Sequence, residues 1–311
     1  MTSDIQPTGG QSSTSAENGR LMRLATYASV SVACSLIALK TGAWIATESI
    51  AMLSTLVDSL LDALASIVNL VAVRHALTPA DREHRFGHGK AEALAAMAQS
   101  AFIAGSAVLL LFHAGERFIH PRPLAAPATG IWVMVVSIVL TVLLVAFQLW
   151  VVRRTKSVAV AADSLHYKGD ILVNIAVIAA LILGSWFGFL YADPIFGTVI
   201  AVYILYNAGQ IVREALDMLM DRELPDDERR KIRDIALAHA EVDSLHDMRT
   251  RRSGQTSFIQ FHLVMNAELT LLKAHEVSDE VELELRRTFP DAEIMIHQDP
   301  TGIIEKHSFH S

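Results

Sequence analysis

The sequence predicts an α-helical polytopic membrane protein with six transmembrane helices, followed by a C-terminal cytoplasmic α+β domain. Of its 311 residues, 52% are hydrophobic and only 19% are charged, a bias typical of membrane proteins. The apolar residues form six runs, each long enough to cross a hydrocarbon core of about 30 Å. The net charge of −7 lies entirely in residues 221–311, which hold 12 Lys/Arg and 19 Asp/Glu. We therefore expect a separate acidic domain after the last span.

The six spans are predicted near residues 24–46, 50–72, 91–113, 130–152, 158–184 and 193–213. Residues 1–19 are rich in Ser, Thr, Gly and Gln, which predicts a disordered tail, and they lack the pattern of a signal peptide. The transmembrane domain is then 20–220 and the cytoplasmic domain 221–311. Basic residues are concentrated before the first span and in the second-to-third and fourth-to-fifth connections, which places both termini in the cytoplasm.

The acidic domain has the element order α-β-β-α-β. Pro225 precedes three acidic residues, a pattern typical of a helix start. We predict helices over 226–240 and 270–288 and strands over 246–252, 257–265 and 292–297, the order of a ferredoxin-like or metallochaperone-like α+β domain. The acidic balance argues against nucleic-acid binding. A single cysteine, Cys34, excludes both a disulfide framework and a thiolate metal cage.

Two pairs of charged residues interrupt the apolar runs. His166 and Asp170 are four residues apart in the predicted fifth span, and Asp58 and Asp62 have the same spacing in the second. On a helix each pair shares one face, and both pairs fall roughly 12–18 Å into the membrane. Charge at that depth costs at least about 2.5–3.5 kcal/mol per group. Three carboxylates and one imidazole suit a divalent metal, although hydrogen bonding between helices is the simpler alternative.

Four separated motifs resemble the cation diffusion facilitator family, most closely its bacterial zinc/iron efflux branch. They are Asp58-x-x-x-Asp62, His166-x-x-x-Asp170, the loop 81–92 and the segment Ile296-His297-Gln298-Asp299-Pro300. One departure is Gly169, where relatives usually have Ser. The resemblance implies a homodimeric, proton-coupled antiporter of the bacterial inner membrane, not an enzyme, that exports divalent cations from the cytoplasm.

The four-residue set favours Zn²⁺ as the chief cargo. Oxygen ligands with one imidazole suit Zn²⁺ and accept Cd²⁺ without excluding Fe²⁺ or Mn²⁺. In the family, a histidine in this set goes with zinc and cadmium. The ligands bind metal only when deprotonated, so protons compete with the ion for the same side chains. This competition predicts exchange of metal for protons.

Two further candidate metal sites follow from the resemblance. The loop offers Asp81, His84 and His88, which are equally well explained as a solvated loop near lipid headgroups. The cytoplasmic domain offers a set of five ligands suited to two metal ions, for which scattered surface histidines are the alternative, and zinc would act there as a regulatory ligand. The five residues are His246, His262, His275, His297 and Asp299.

The resemblance also makes Lys90 and Asp221 an interlocked charge pair near the centre of the dimer.

Two other functions would explain parts of the sequence. An intramembrane aspartyl protease would carry Gly-x-Gly-Asp, whereas this chain has Tyr167-Lys168-Gly169-Asp170. A membrane-anchored metal sensor without transport would explain the cytoplasmic ligands, but it has no use for ligands buried in the membrane.

Overall fold

The computed structural model describes residues 13–47, 50–121, 128–187 and 189–302. The chain divides into two compact units at residue 216. One unit contains the long helices, and the other contains a three-stranded sheet with two helices.

Among the described residues, six helices are long and apolar enough to cross a membrane, which agrees with the predicted number of spans. Each runs beyond the predicted apolar segment, because polar residues at a helix end continue the backbone hydrogen bonding outside the hydrocarbon region. The helices are α1 Ser13–Thr47, α2 Ile50–Ala76, α3 Lys90–Ile119, α4 Ala128–Thr155, α5 Val158–Phe187 and α6 Ala192–Leu219.

The start of α1 differs from the sequence prediction. Residues 13–19 are helical, whereas a disordered tail was expected to extend to residue 19. The apolar run that follows supplies the helix nucleus, and adding residues to an existing helix is far easier than nucleating one. The remainder of the predicted tail, residues 1–12, lies outside the described residues.

Small residues line the buried faces of the transmembrane helices. In α6 the buried alanines Ala201, Ala208 and Ala215 recur every seven residues, the spacing of one helix face. Such residues let helix backbones approach closely, which is how helices pack in a bilayer. Gly169 of α5 faces Ile204 of α6, and a Cβ atom at this glycine would lie 3.1 Å from the Ile204 Cδ1 atom. The glycine therefore permits this close contact.

The cytoplasmic unit has the predicted order α-β-β-α-β. Its sheet consists of β1 (Val242–Ser253), β2 (Thr256–Met265) and β3 (Ala292–Pro300) in that order, with β1 and β2 antiparallel and β2 and β3 parallel. Thr270 caps the second helix by accepting a hydrogen bond from the backbone N–H of Lys273. Its helices are α7 Asp226–Leu237 and α8 Leu271–Thr288.

The two faces of this sheet differ. Phe261, Leu263 and Met265 of β2 are buried in a core that also contains residues of α7 and α8. Because side chains alternate along a strand, Gln260 and His262 project from the other face. The sheet thus has one apolar face covered by helices and one face that carries polar side chains.

The core predicts a large effect of truncating Phe261, whose side chain is 1% exposed. Phe261→Ala should lower the free energy of unfolding of this unit by about 3–5 kcal/mol, because it removes buried area and leaves a cavity. Denaturant unfolding of a 217–311 fragment measures the change. Leu272→Ala, at a position that is 69% exposed, is the control and should stay within about 0.5 kcal/mol of the unsubstituted fragment. Equal stability of all three would show that the core is assigned wrongly.

Candidate metal centres

Three charged side chains meet between α2 and α5. Nε2 of His166 lies 3.0 Å from Oδ1 of Asp62 and 3.9 Å from Oδ2 of Asp170. One ligand atom from each residue lies within 4.8 Å of the others, a spacing that lets a single ion contact all three. The imidazole is buried and both carboxylates are partly buried. The four-residue spacing on α5 therefore brings His166 and Asp170 to the face of α2 that carries Asp62.

Asp58, the fourth predicted ligand, lies one helical turn from Asp62 on α2 but does not belong to the three-residue group. Asp58 is an exposed residue, and its carboxylate is close enough to Asp62 and Lys40 to interact with their charges. Like charges repel strongly in a low-dielectric region. This repulsion opposes the addition of another carboxylate to the two already present.

A lysine on α1 stands beside these residues. Nζ of Lys40 donates hydrogen bonds to Oγ of Ser59, at 2.7 Å, and to the backbone carbonyl of Thr55, at 3.2 Å. The sequence analysis gave Lys40 no role in metal binding. Its position within a span was the available signal, since ionisable residues there mark functional sites.

Polar contacts fix the position of α5 near the site. The carboxylate of Asp163, one turn before His166, accepts hydrogen bonds from Oγ of Ser29 at 2.5 Å and from Nε2 of Gln148 at 2.7 Å. The Tyr167 hydroxyl lies 2.8 Å from Oγ of Ser66. Residues of α1, α2, α4 and α5 thus share one buried network. The sequence analysis gave Asp163 no role, although its placement three residues before His166 puts both on one side of the helix.

The N-terminus of α5 is anchored as well. Glu92 of α3 is buried, and its carboxylate lies beside the side chain of Ser157 and the backbone N–H groups of Val158 and Ala159. Oγ of Ser157 accepts a further bond from the N–H of Val160. A helix N-terminus carries free N–H groups and a partial positive charge, so a carboxylate stabilises it. The helix that supplies two ligands is therefore fixed at its start.

The loop between α2 and α3 brings Asp81, His84 and His88 together, as predicted. Oδ1 of Asp81 lies 3.3 Å from Nδ1 of His84, and Oδ2 lies 3.4 Å from Nε2 of His88. The backbone N–H of His84 donates to Asp81 at 2.6 Å, and that of Glu83 donates at 2.9 Å. These bonds, that from His84 foremost, hold the pKa of Asp81 below its usual value. An ionised carboxylate in this turn is ready to bind a cation.

His75, at the end of α2, is a neighbour of this group that the sequence analysis missed. Its ring packs edge-on against His88, with 4.7 Å between the ring centroids. The only signal was its position nine residues before His84 at a helix end.

The cytoplasmic cluster is built by the register of the sheet. His246 pairs with His262 across β1 and β2, and His262 pairs with His297 across β2 and β3, so the three imidazoles form one row. Asp299 lies among them. Its Oδ2 is 2.8 Å from Nδ1 of His262 and 3.2 Å from Nε2 of His246, and its Oδ1 is 3.3 Å from Nε2 of His297. One carboxylate thus contacts all three rings.

His275, the fifth predicted ligand of this cluster, lies elsewhere. It belongs to α8, and its Nε2 is 3.5 Å from Oδ2 of Asp279 on the same helix. Because α8 packs on the apolar face of the sheet, it is separated from the row of histidines by the sheet itself. Within this single chain His275 does not join the row, and its place in the cluster stays a prediction.

Asp247 is a carboxylate near the cluster that was not predicted. It sits at an irregularity of β1 between His246 and Arg249, with a φ of 45°. Its Oδ2 lies 3.9 Å from Nε2 of His262. No sequence pattern indicated this bend.

The predicted pair of Lys90 and Asp221 belongs to two different units of the chain. Lys90 is the first residue of α3. Asp221 follows α6 in a turn with a φ of 54° and lies 3.3 Å from the guanidinium of Arg251. Pairing of Lys90 with Asp221 stays a prediction.

Comparison with known proteins matches both parts of the chain. Residues 26–220 match the cation efflux transmembrane domain, and residues 224–301 match the cytoplasmic domain of cation efflux proteins. The cation-efflux pump FieF of Escherichia fergusonii is 49% identical over 288 residues, covering 93% of this chain and 96% of that protein. The FieF pump of Yersinia enterocolitica is 48% identical over 287 residues, covering 92% and 95%.

Among solved structures, CzrB in its zinc form is 34% identical, covering 28% of this chain and 99% of that one, with a TM-score of 0.26. The metal-bound C-terminal domain of the CzcD transporter from Thermotoga maritima is 26% identical, covering 25% and 93%, with a TM-score of 0.25.

The central position of Asp299 predicts that Asp299→Asn weakens zinc binding by the cytoplasmic cluster by about 10-fold or more, because the amide removes the negative charge shared by three imidazoles. Isothermal titration of the full-length protein, in a variant with the membrane and loop ligands replaced, measures the change. Asp243→Asn is the matched control, since its carboxylate accepts a hydrogen bond from Thr301 on the same sheet. Similar zinc affinities for the two variants would contradict this arrangement of ligands.

Proposed function

This chain belongs to the cation efflux family of transporters, which export metal cations, and on that premise we propose that it is a proton-coupled antiporter whose chief cargo is Zn²⁺. The observation that carries the proposal is the group formed by Asp62, His166 and Asp170. It lies inside helices that can span a membrane. Ligands at membrane depth serve an ion that passes through.

The preference for zinc follows from the donor atoms. An imidazole nitrogen with carboxylate oxygens suits Zn²⁺, which binds four ligands of these kinds in a tetrahedron. Hard ions such as Mg²⁺ prefer an all-oxygen set. Cd²⁺ and Fe²⁺ accept the same donors and are the competing cargoes.

Asp58 is proposed as the fourth ligand. It is one helical turn from Asp62, and a divalent cation would remove the charge repulsion that opposes its approach. The bound ion would then hold one ligand pair on α2 and another on α5. Release would reverse this movement.

Proton coupling follows from the same ligands. Each carboxylate and the imidazole must be deprotonated to coordinate the ion. Protons arriving from the outer side would displace the metal there, and loss of protons to the cytoplasm would restore binding. Exchange then needs no proton site separate from the metal site.

The orientation is proposed from the charges of the connections. An even number of spans places both ends of the helical unit on one side. Arg153 and Arg154 in the last turn of α4, and Lys156 directly after it, form a basic cluster at the connection to α5. The positive-inside rule makes that side cytoplasmic. For a bacterial exporter this is a multi-pass protein of the inner membrane.

The cytoplasmic unit is proposed as the regulatory and dimeric part. Its family domain indicates dimerisation, yet its charge of −7 makes two copies repel over about a Debye length, ~8 Å at physiological salt. Zinc bound at the histidine row would reduce that charge and favour approach of the two copies. A purely structural zinc site is the alternative.

A membrane-anchored zinc sensor is the second candidate function, favoured by the histidine row in the cytoplasmic unit. It differs in predicting no movement of metal. Zinc flux into liposomes that contain the purified protein separates the two functions.

Loss of a membrane ligand should abolish transport. Asp62→Ala or Asp170→Ala should reduce zinc flux in proteoliposomes to the protein-free background, because each substitution removes a carboxylate that lies beside His166 in the proposed site. Asp217→Asn is the control, since its carboxylate pairs with Arg222 near the end of α6, and it should transport normally. Normal flux in the Asp170→Ala protein would rule out the proposed site.

Zinc movement should be coupled to protons. A pH gradient across the liposome membrane should drive zinc toward the more acidic side, because protons cross toward the alkaline side in exchange. A pH-sensitive dye and a zinc-sensitive dye measure the two movements together. A protonophore should abolish accumulation driven by the gradient. Zinc flux that responds neither to the gradient nor to the protonophore would exclude proton exchange.

A further inference from the structure

Lys40 contributes a positive charge beside the proposed transport site. Its two hydrogen bonds, to Oγ of Ser59 and to the carbonyl of Thr55, hold the ammonium group against α2. Ser59 is buried and lies between Asp58 and Asp62 in the sequence. The lysine reaches this point from α1, seven residues before that helix ends. An ammonium group is therefore fixed next to the helix that supplies two of the proposed ligands.

The ammonium group acts electrostatically on the carboxylates. Its charge interacts with those of Asp62, Asp170 and Asp58. For Lys168, on α5 between His166 and Asp170 in sequence, no such interaction with these carboxylates is found. Two lysines thus lie within spans near the site, and the described contacts link only Lys40 to the ligand charges.

An empty site requires compensation for its charges. When a divalent ion leaves, the carboxylates remain in a region of low dielectric, where uncompensated charge is strongly unfavourable. A permanent cation nearby reduces that penalty. The same cation repels a bound metal ion and so reduces its affinity.

We propose that Lys40 is the counter-cation of the empty transport site and that it promotes release of the metal. This inference rests on the proposed transport function of Asp58, Asp62, His166 and Asp170. Tethered to Ser59 and Thr55, the ammonium stays on the side of the site toward the α1–α2 connection. In the proposed orientation that side faces out of the cell, so the charge would favour the empty state at the stage when the ion leaves.

A structural role is the competing explanation, because the hydrogen bonds of Lys40 also join α1 to α2. Substitutions of Lys40 and Ser59 distinguish the electrostatic role from the structural one. Lys40→Gln removes the charge but retains a hydrogen-bond donor, and Lys40→Met removes both while remaining compatible with a bilayer. Lys40→Arg retains the charge, and Ser59→Ala removes the acceptor while leaving the lysine in place.

The test is equilibrium zinc binding by the full-length protein in detergent, measured by competition with a zinc-sensitive dye. His88→Ala and Asp299→Asn are included throughout to weaken the other two candidate centres. Lys40→Gln and Lys40→Met should each bind zinc about 10-fold more tightly, within the usual range of coupling between sites. Lys40→Arg, Ser59→Ala and the matched control Lys168→Gln should remain close to the parent protein.

Transport provides a second readout. In proteoliposomes, Lys40→Gln should lower both KM for zinc and kcat, because tighter binding slows release. A purely structural lysine would lower flux without tightening zinc binding. Circular dichroism and gel filtration check that each variant is folded. If neither neutral variant folds, Lys40→Arg decides the matter, since a 10-fold change in its zinc affinity would contradict a role based on charge.

Unchanged or weaker zinc binding in both neutral variants would overturn the proposal, as would equal effects of Ser59→Ala and Lys40→Gln. The transport site itself is tested separately by adding Asp62→Ala to the same background. If that variant still binds zinc like the parent, the assignment of the site fails. If it loses binding while the lysine variants change nothing, only the role of Lys40 fails.

Discussion

The enclosure of carboxylates within membrane-spanning helices is the constraint on which the rest of the helical unit depends. Asp62 and Asp170 approach the imidazole of His166 in a region where water cannot fully solvate their charges. Such a group persists only if the surrounding protein supplies hydrogen bonds or opposite charge. The ammonium of Lys40 supplies charge from α1. A divalent ion would supply more of it, and this difference is the basis of the metal affinity proposed for the site.

The helices around the site are held by polar contacts that leave the ligands free. Glu92 anchors the N-terminus of α5, and Asp163 joins that helix to Ser29 of α1 and Gln148 of α4. These bonds lie on the side of His166 toward the start of α5. They fix the position of α5 along its axis, while Asp170, one turn beyond His166, remains partly exposed. A firmly held helix start and an accessible ligand pair suit an ion that must both bind and leave.

Sequence periodicity predicted those features that depend on neighbours along the chain. Apolar runs predicted the six spans, and the spacing of four residues predicted that His166 and Asp170 share one face of a helix. Features that depend on the packing of separate elements were not predictable in this way. The spacing of His275 could not show that α8 covers the face of the sheet opposite the other histidines. The partners of Lys40 and Asp163 likewise come from helices far away in sequence, and the helical start at Ser13 depends on the apolar segment that follows it.

The two kinds of candidate metal centre use similar side chains in different surroundings, and this difference underlies the separate roles proposed for them. The row of His246, His262 and His297 lies on the polar face of a sheet, with Asp299 bridging the rings and only 13% exposed. This face is open to water, so loss of a metal ion from the row would leave few charges without solvent. The membrane group lies within helices that can span a bilayer, where charge is costly, so the proposed exchange links its occupancy by metal to its occupancy by protons. A solvated cluster can therefore respond to cytoplasmic metal alone, whereas the buried group is suited to exchange one kind of cation for another.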